Sequence, residues 1–302
     1  MEEAHLVSKA RHEGGLFYLP PRTLLRVTGN DRLRYLNGQV TNDLRKLVPG
    51  EAMQACVLTP KGKLVALVST SMDGDALLVE TDETLAEELL ARLERYIVAD
   101  DVALELTVAL SDRIHVFGAL LHHPEIQVAP GIMIQRLGVP GKDLDAALLP
   151  SLGPLVNRKL LSLETLEILR IERGVPRWGF ELTSNTLPPE ALLEEASINY
   201  EKGCYLGQEI ISRLRSVGQV NRLLTCFVGE EEACLVQGME LFSSDDTSRC
   251  LGSLTSVAIQ PDSGHWIALG YLRRGSNNTG SSFLAVDPVS GATAKVIVTD
   301  FK

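Results

Sequence analysis

After residue 222 the chain breaks into six short runs of β-type composition, at 224–228, 239–242, 252–258, 267–271, 283–286 and 294–298, with Gly, Ser and Asp between them. Branched and aromatic side chains favour extended backbone, and turn residues at regular intervals make each run a separate strand. Short strands so closely spaced have to pair with one another. Residues 223–302 are therefore expected to form a small β-barrel or sandwich.

The preceding chain mixes helix and strand. Residues 24–28 read as a strand, Gly29-Asn30 as a turn, and Asp31 as the cap of a helix over 32–37, with a second turn at Thr41-Asn42-Asp43. Strands are expected at 52–58, 64–70 and 76–80, joined by the turns Pro60-Lys61-Gly62 and Asp73-Gly74. Asp82 then caps a helix whose Leu85, Leu89, Leu90, Leu93 and Tyr96 recur at helical spacing, a core stripe. Further strands at 102–110 and 114–118 give a β-β-β-α-β-β order, which suggests one antiparallel sheet with a helix on one side, not a Rossmann unit. The stretch 124–154 is rich in Pro, Gly and small residues and reads as an excursion returning to the first domain. Ser162 caps a helix over 163–173 that Gly174 ends. The expected organisation is three-part: a discontinuous domain (1–50 plus 151–222), an inserted αβ domain (51–150) and a C-terminal barrel (223–302).

A net charge of −10 argues against a general nucleic-acid binder, which needs a basic footprint. No apolar run approaches the roughly 18 residues of a membrane span, and Met1-Glu2-Glu3-Ala4-His5 carries acids where a secretory signal carries bases. A cytoplasmic protein is expected. The five cysteines, Cys56, Cys204, Cys226, Cys234 and Cys250, are scattered with no CxxC pair, so neither a disulfide framework nor a metal site of the protein's own is expected.

Chemistry concentrates in Lys202-Gly203-Cys204-Tyr205-Leu206-Gly207-Gln208-Glu209. Cys204 lies between two glycines ahead of an apolar and basic run of helical period, with Lys202 close by in sequence. A helix N-terminus and a nearby cation both favour thiolate, so Cys204 is expected to alkylate ahead of the other four thiols. On spacing alone, a small residue in a Gly-flanked turn is the competing reading.

The octapeptide resembles the KGCYxGQE signature of the YgfZ family of folate-binding proteins, relatives of the glycine-cleavage T-protein that support iron–sulfur enzymes. The resemblance covers nearly the whole chain and is carried by two further segments. One joins Val27-Thr28-Gly29-Asn30-Asp31 to Leu36-Asn37-Gly38-Gln39-Val40-Thr41-Asn42-Asp43, and the other joins 170–181, the R-x-E-x-G-x-P pattern, to Leu187-Pro188-Pro189-Glu190. It implies an α+β, GcvT-like multidomain fold with antiparallel αβ modules, a C-terminal β-barrel, and tetrahydrofolate or a derivative in a central cleft. By the same resemblance Glu172 is expected at the pterin, whose adjacent donors one carboxylate accepts in parallel. Trp178 and Phe180 are candidates to flank the ring, with core packing as the competing reading, and Asn42 and Asp43 fall in a ligand turn. Lys202, Gln208 and Glu209 fall around the thiol, and Arg213, Arg215 and Arg222 are candidates for glutamyl carboxylates.

In one respect the chain departs from the T-protein. Those aminomethyltransferases place an aspartate on an early strand, where this chain has Val65 and Ala66, and neither moves a proton. The expected role is support of iron–sulfur cluster assembly or maintenance, including tRNA-modifying iron–sulfur enzymes, with such enzymes or assembly factors as partners. Cys204 would carry a one-carbon unit, a sulfur species or a transient cluster bond. A folate-dependent aminomethyltransferase and a non-catalytic adaptor docking through the Cys204 loop are the alternatives.

Overall fold

A computed structural model describes residues 2–107, 112–152, 160–230 and 233–301. In chain order the elements are α1 (Glu2–Glu13), β1 (Gly14–Tyr18), β2 (Arg22–Thr28), α2 (Arg32–Gln39), β3 (Ala52–Leu58), β4 (Leu64–Asp73), β5 (Ala76–Asp82), α3 (Ala86–Glu94) and β6 (Ala103–Thr107). They continue with β7 (Arg113–Gly118), α4 (Pro124–Val128), β8 (Gly131–Arg136), β9 (Val139–Asp145), α5 (Leu163–Glu172), α6 (Glu194–Ser197) and α7 (Gln208–Ser216). The last six are β10 (Arg222–Gly229), β11 (Glu240–Ser243), β12 (Cys250–Ile259), β13 (Trp266–Arg273), β14 (Ser282–Val286) and β15 (Thr293–Thr299).

A five-stranded antiparallel sheet has the order β3-β4-β5-β2-β6. Its core joins Leu25 and Val27 of β2 and Val68 of β4 to Tyr35 and Leu36 of α2 and to Leu85, Leu89 and Leu93. The leucine stripe at four-residue spacing is thus buried against the sheet, each side chain contributing roughly 1.5–3 kcal/mol. Gly29 is required where it stands: its φ is +100°, and a Cβ would lie 2.0 Å from the Asp101 carbonyl. Asp31 does not cap α2 with its side chain. It accepts instead from the Asp101 N–H at 2.9 Å, tying the start of α2 to the entry of β6.

The strands expected to form one sheet are divided between two. β6 stays with β2, whereas β7 belongs to a four-stranded sheet of order β1-β7-β9-β8. The end of the strand expected over 102–110 lies outside the described residues from 108 onward. The stretch 124–154, to which no element was assigned from sequence, supplies α4 and the β8–β9 hairpin. Its Gly and Pro hide the strands. A Cβ on Gly141 would lie 2.2 Å from Nε2 of buried His115, so β9 passes that ring only without a side chain. Pairing also runs across the boundary placed at residue 50: β2 joins β5, and β1 joins β7.

Buried charges bolt the two sheets together. Glu80 of β5 accepts from Arg22 of β2, Arg113 of β7 and Arg136 of β8, and Arg136 also donates to Asp143 of β9 at 2.5 Å. His115 pairs with the other Asp143 oxygen at 2.7 Å. Burial raises the Asp143 carboxyl, but His115 and Arg136 more than reverse this and hold it at about 2. Burial also lowers the His115 pKa, against the pull of Asp143.

The last six strands close into a barrel of order β10-β13-β12-β11-β14-β15. Alternate residues such as Val296 and Val298 of β15 fill it with Phe227, Leu241 and Phe283. Between barrel and sheets lies α5, begun by the Ser162 hydroxyl accepting from the Thr165 N–H at 3.0 Å and followed by Gly174 at φ +64°. Ile168 and Ile171 pack on the barrel residues Leu224, Ile267 and Leu269. The opposite face of α5 is left for the site.

Candidate functional site

A cleft of about 790 Å³ opens where both sheets, α5 and the barrel meet. Leu163, Leu166, Glu167 and Arg170 face it from α5, at the spacing of one helix face. Phe17 and Leu19 come from β1 and the residues after it, Gln54 from β3, Arg136 from β8, and Ser256 and Val257 from the barrel. The segment after α5 adds Trp178, Phe180 and Leu182. Its carboxylates are answered: Arg170 holds Glu167 in a fork at 2.9 and 2.7 Å, and Arg177 approaches the same carboxylate at 3.2 Å while lying over the Phe180 ring. Burial raises the Glu167 carboxyl, but the hydrogen bond and charge of Arg170, with Arg177, bring it below the ordinary value.

Arg170 is fixed from behind by Glu181, buried at the barrel interface, which accepts from it at 3.0 Å and also from Thr255 and Ser256. Gln54 is fixed too, its Oε1 accepting from the Ser197 hydroxyl at 2.9 Å. The amide NH2 is then the donor it has to offer the cleft. On β4 the cleft-lining side chains are Leu67 and Ser69, while Val65 and Ala66 point into the sheet's core. No β4 carboxylate faces the cleft. The walls are aromatic and aliphatic with a few oriented polar groups, the usual make-up of a small-molecule site.

Of the ligand-site residues singled out from sequence, Trp178 and Phe180 line this cleft. Glu172 lies on the other face of α5, where Arg11 donates to both of its oxygens, at 3.0 and 2.5 Å, and the Gln260 amide donates to one of them. Arg222 pairs with Glu190 at 3.1 Å and covers the Tyr271 ring. Asn42 donates to the Gln54 and Ala196 carbonyls, and Arg45 holds buried Asp43 below its ordinary carboxyl range. Gln208 is the first residue of α7, and Glu209, Arg213 and Arg215 are exposed along it. Of the cleft residues given no ligand role from sequence, Gln54 and Glu167 carry no motif, whereas Arg170 opens the R-x-E-x-G-x-P pattern and Arg177 follows it. The 3.6-residue period of α5 marks two of them as one face, but nothing local says what that face meets.

Cys204 is exposed and lies outside the cleft lining. The helix begins four residues later, at Gln208, with Gly207 at φ +85° between. The Lys202 side chain is engaged elsewhere. Its ammonium is buried among the carbonyls of Asn37, Val40 and Asn42 at 2.6, 2.8 and 2.6 Å, with Asn37 Oδ1 at 3.3 Å. Burial lowers the Lys202 pKa to about 8, against the pull of Asp43. Cys56 and Cys226 are buried, and burial pushes Cys56 up to about 12. Cys234 and Cys250 are exposed like Cys204, so exposure alone does not rank these three. Among the described residues no group of three or more His, Cys, Asp or Glu is placed to hold a metal, and no helix is long and apolar enough to cross a membrane.

No protein-family model matches the chain. It is 27% identical over 271 residues to the tRNA-modifying protein YgfZ of Hamiltonella defensa, covering 81% of this chain and 79% of that protein. It is 28% identical over 226 residues to the mitochondrial iron-sulfur cluster assembly factor IBA57 homolog of Pyricularia oryzae, covering 70% and 57%. Among solved structures it is similar to glycine cleavage system aminomethyltransferase T from Bartonella henselae, with a TM-score of 0.79 over 98% of this chain and 88% of that one. At 18% identity that likeness is one of fold.

Proposed function

We propose that this chain, similar in sequence to YgfZ and IBA57 proteins and in fold to an aminomethyltransferase, binds a reduced folate in the central cleft and supports iron–sulfur cluster assembly or maintenance, including tRNA-modifying enzymes. The observation that carries the reading is the cleft itself, at the junction of sheets, helix and barrel, with Trp178 in its wall. A pterin is flat and apolar on its faces and polar along its edges. The residues present fit such a group: Trp178 and Phe180 offer ring surfaces, and Gln54, Glu167 and Arg170 offer edge partners. Arg22 and Arg136 supply guanidinium groups for a carboxylate.

Bound folate would supply one-carbon carrier chemistry. The chain's own groups orient it: Ser197 sets the Gln54 amide, and Glu181 sets Arg170. Val65 and Ala66 occupy the positions where an aminomethyltransferase is expected to carry an acid, and the β4 side chains that line the cleft, Leu67 and Ser69, are not acids either, which weighs against that reaction. Cys204 is the working thiol of this reading, and its exposure outside the cleft suits an exchange with a partner protein.

Titration calorimetry with tetrahydrofolate tests the cleft. Wild type is expected to bind, and Trp178→Ala to bind at least tenfold more weakly. Absence of binding by wild type refutes the folate reading. For the thiol, Cys204→Ser is expected to abolish rescue of an iron–sulfur enzyme defect in cells lacking the protein, and full rescue removes Cys204 from the function.

A further inference from the structure

The Cys204 loop is clamped at both ends. On one side Lys202 reaches the carbonyls of Asn37, Val40 and Asn42, at the C-terminal end of α2 and in the turn after it. On the other side the Leu206 N–H donates to the Gly38 carbonyl at 3.2 Å, and Tyr205 is buried among Cys56, Leu58 and Ile211. Further back, the Asn199 N–H donates to Thr41 O at 3.0 Å. Only Gly203 and Cys204 are left exposed between the clamps. A buried ammonium is tolerated when its N–H groups are all hydrogen-bonded, and carbonyls at a helix C-terminus are well suited to a cation. No carboxylate lies within ion-pair distance of Lys202 among the described residues, so these neutral oxygens are what hold it.

We propose that Lys202 is a positioning residue: its ammonium fastens the loop to the end of α2 and so holds Cys204 outward at a fixed place on the surface. The thiol-activating role implied by the sequence is replaced by a mechanical one, because the donors of Lys202 point into the protein. The same contact reaches the cleft wall. Asn42, whose carbonyl accepts from Lys202, donates through its side chain to the carbonyls of Gln54 and Ala196, both cleft-lining residues. Loop and cleft are thus built against one turn. The role in function rests on Cys204 being the working thiol, whereas the fastening itself does not.

The test uses the full chain carrying Cys234→Ser and Cys250→Ser, so that Cys204 is the exposed thiol. In Lys202→Met, which keeps the length and apolar stem but donates nothing, the amides of Asn199 and Leu206 are expected to exchange at least tenfold faster. Amides of β10 and β13 should be unchanged, and the pH midpoint of Cys204 alkylation by iodoacetamide should not move. An upward shift of that midpoint with unchanged loop exchange overturns the proposal in favour of electrostatic activation; no change in either also overturns it. Should Lys202→Met fail to fold, the unsubstituted protein still decides: under limiting acetic anhydride Lys202 should acetylate at least tenfold more slowly than exposed Lys61. Equal rates refute the fastening. If Cys204→Ser leaves cellular rescue intact, the thiol reading fails, while exchange and acetylation still judge the fastening.

Discussion

Replacing Asp143 with Asn should destabilise the protein by an amount that vanishes in acid over a definite window. Asp143 is fully buried, accepts from Arg136 and His115, and has Arg113 3.4 Å away. Its pKa is held at about 2 against an ordinary 3.8. A folded-state pKa below the unfolded one means that the unfolded chain takes up the proton first. The stabilisation is complete above 3.8 and is lost as the pH falls from there to about 2. At about 1.4 kcal/mol per unit, the ionised carboxylate contributes about 2 kcal/mol. Removing one partner of a buried charge cluster costs roughly 3–5 kcal/mol when nothing remains to answer the other charge. Here Glu80 still accepts from Arg136 and Arg113, which places the expected loss at the lower end, about 2–3 kcal/mol near neutrality. Urea unfolding of both proteins at a series of pH values from 7 to 2 reads this directly. His115, whose pKa burial lowers, makes both proteins less stable below about 6.5, so the comparison is drawn from pH 5 downward. The gap should narrow by about 2 kcal/mol between pH 5 and 2. A constant gap would mean that the Asp143 carboxylate is not stabilised by its partners, and the account of the inter-sheet charges would fail.

Three other outcomes are expected. Glu172→Gln should lower stability by about 1–3 kcal/mol through the weakened Arg11 pair while leaving tetrahydrofolate affinity within about twofold; a collapse in affinity would return Glu172 to the ligand. Gly207→Ala meets both a φ of +85° and a Cβ position 2.7 Å from the Thr59 carbonyl, so it should cost about 1–3 kcal/mol, seen as a fall in Tm; an unchanged Tm contradicts that contact. In native protein, iodoacetamide should label Cys204, Cys234 and Cys250 and spare Cys56 and Cys226 until denaturant is added, as mass spectrometry of the labelled peptides will show.

Local chemistry was legible where it decides the structure. All six barrel strands, the Ser162 cap and the Leu85-Leu89-Leu93 stripe follow from alternation, hydroxyl capping and helical spacing, and each is found in place. What escaped depends on distant chain. The β8–β9 hairpin is disguised by Gly138, Pro140 and Gly141, residues demanded by a turn and by the passage of His115, which belongs to β7. Glu172 reads as a ligand because its partners, Arg11 and Gln260, lie 161 and 88 residues away. Lys202 reads as the neighbour of Cys204 because sequence distance is all that a motif supplies. Its three carbonyl partners come from the end of α2 and the turn after it, 160 to 165 residues earlier. Trp178, singled out from sequence, is found in the cleft lining, whereas Gln54 and Arg170 acquire meaning only once β3 and α5 meet across the cleft.

The pairing of α1 with α5 and the barrel has a consequence for biosynthesis. Arg11 is synthesised well before its carboxylate partners Glu172 and Asp262, which follow it by 161 and 251 residues, and Gln260 joins the cluster. Domains tend to fold in order of emergence, but this helix cannot dock until most of the chain has been made. A helix synthesised ahead of both sheets is then secured only after them. A nascent chain stalled before the barrel would leave that end undocked, open to proteases and to chaperones that hold unfinished chains.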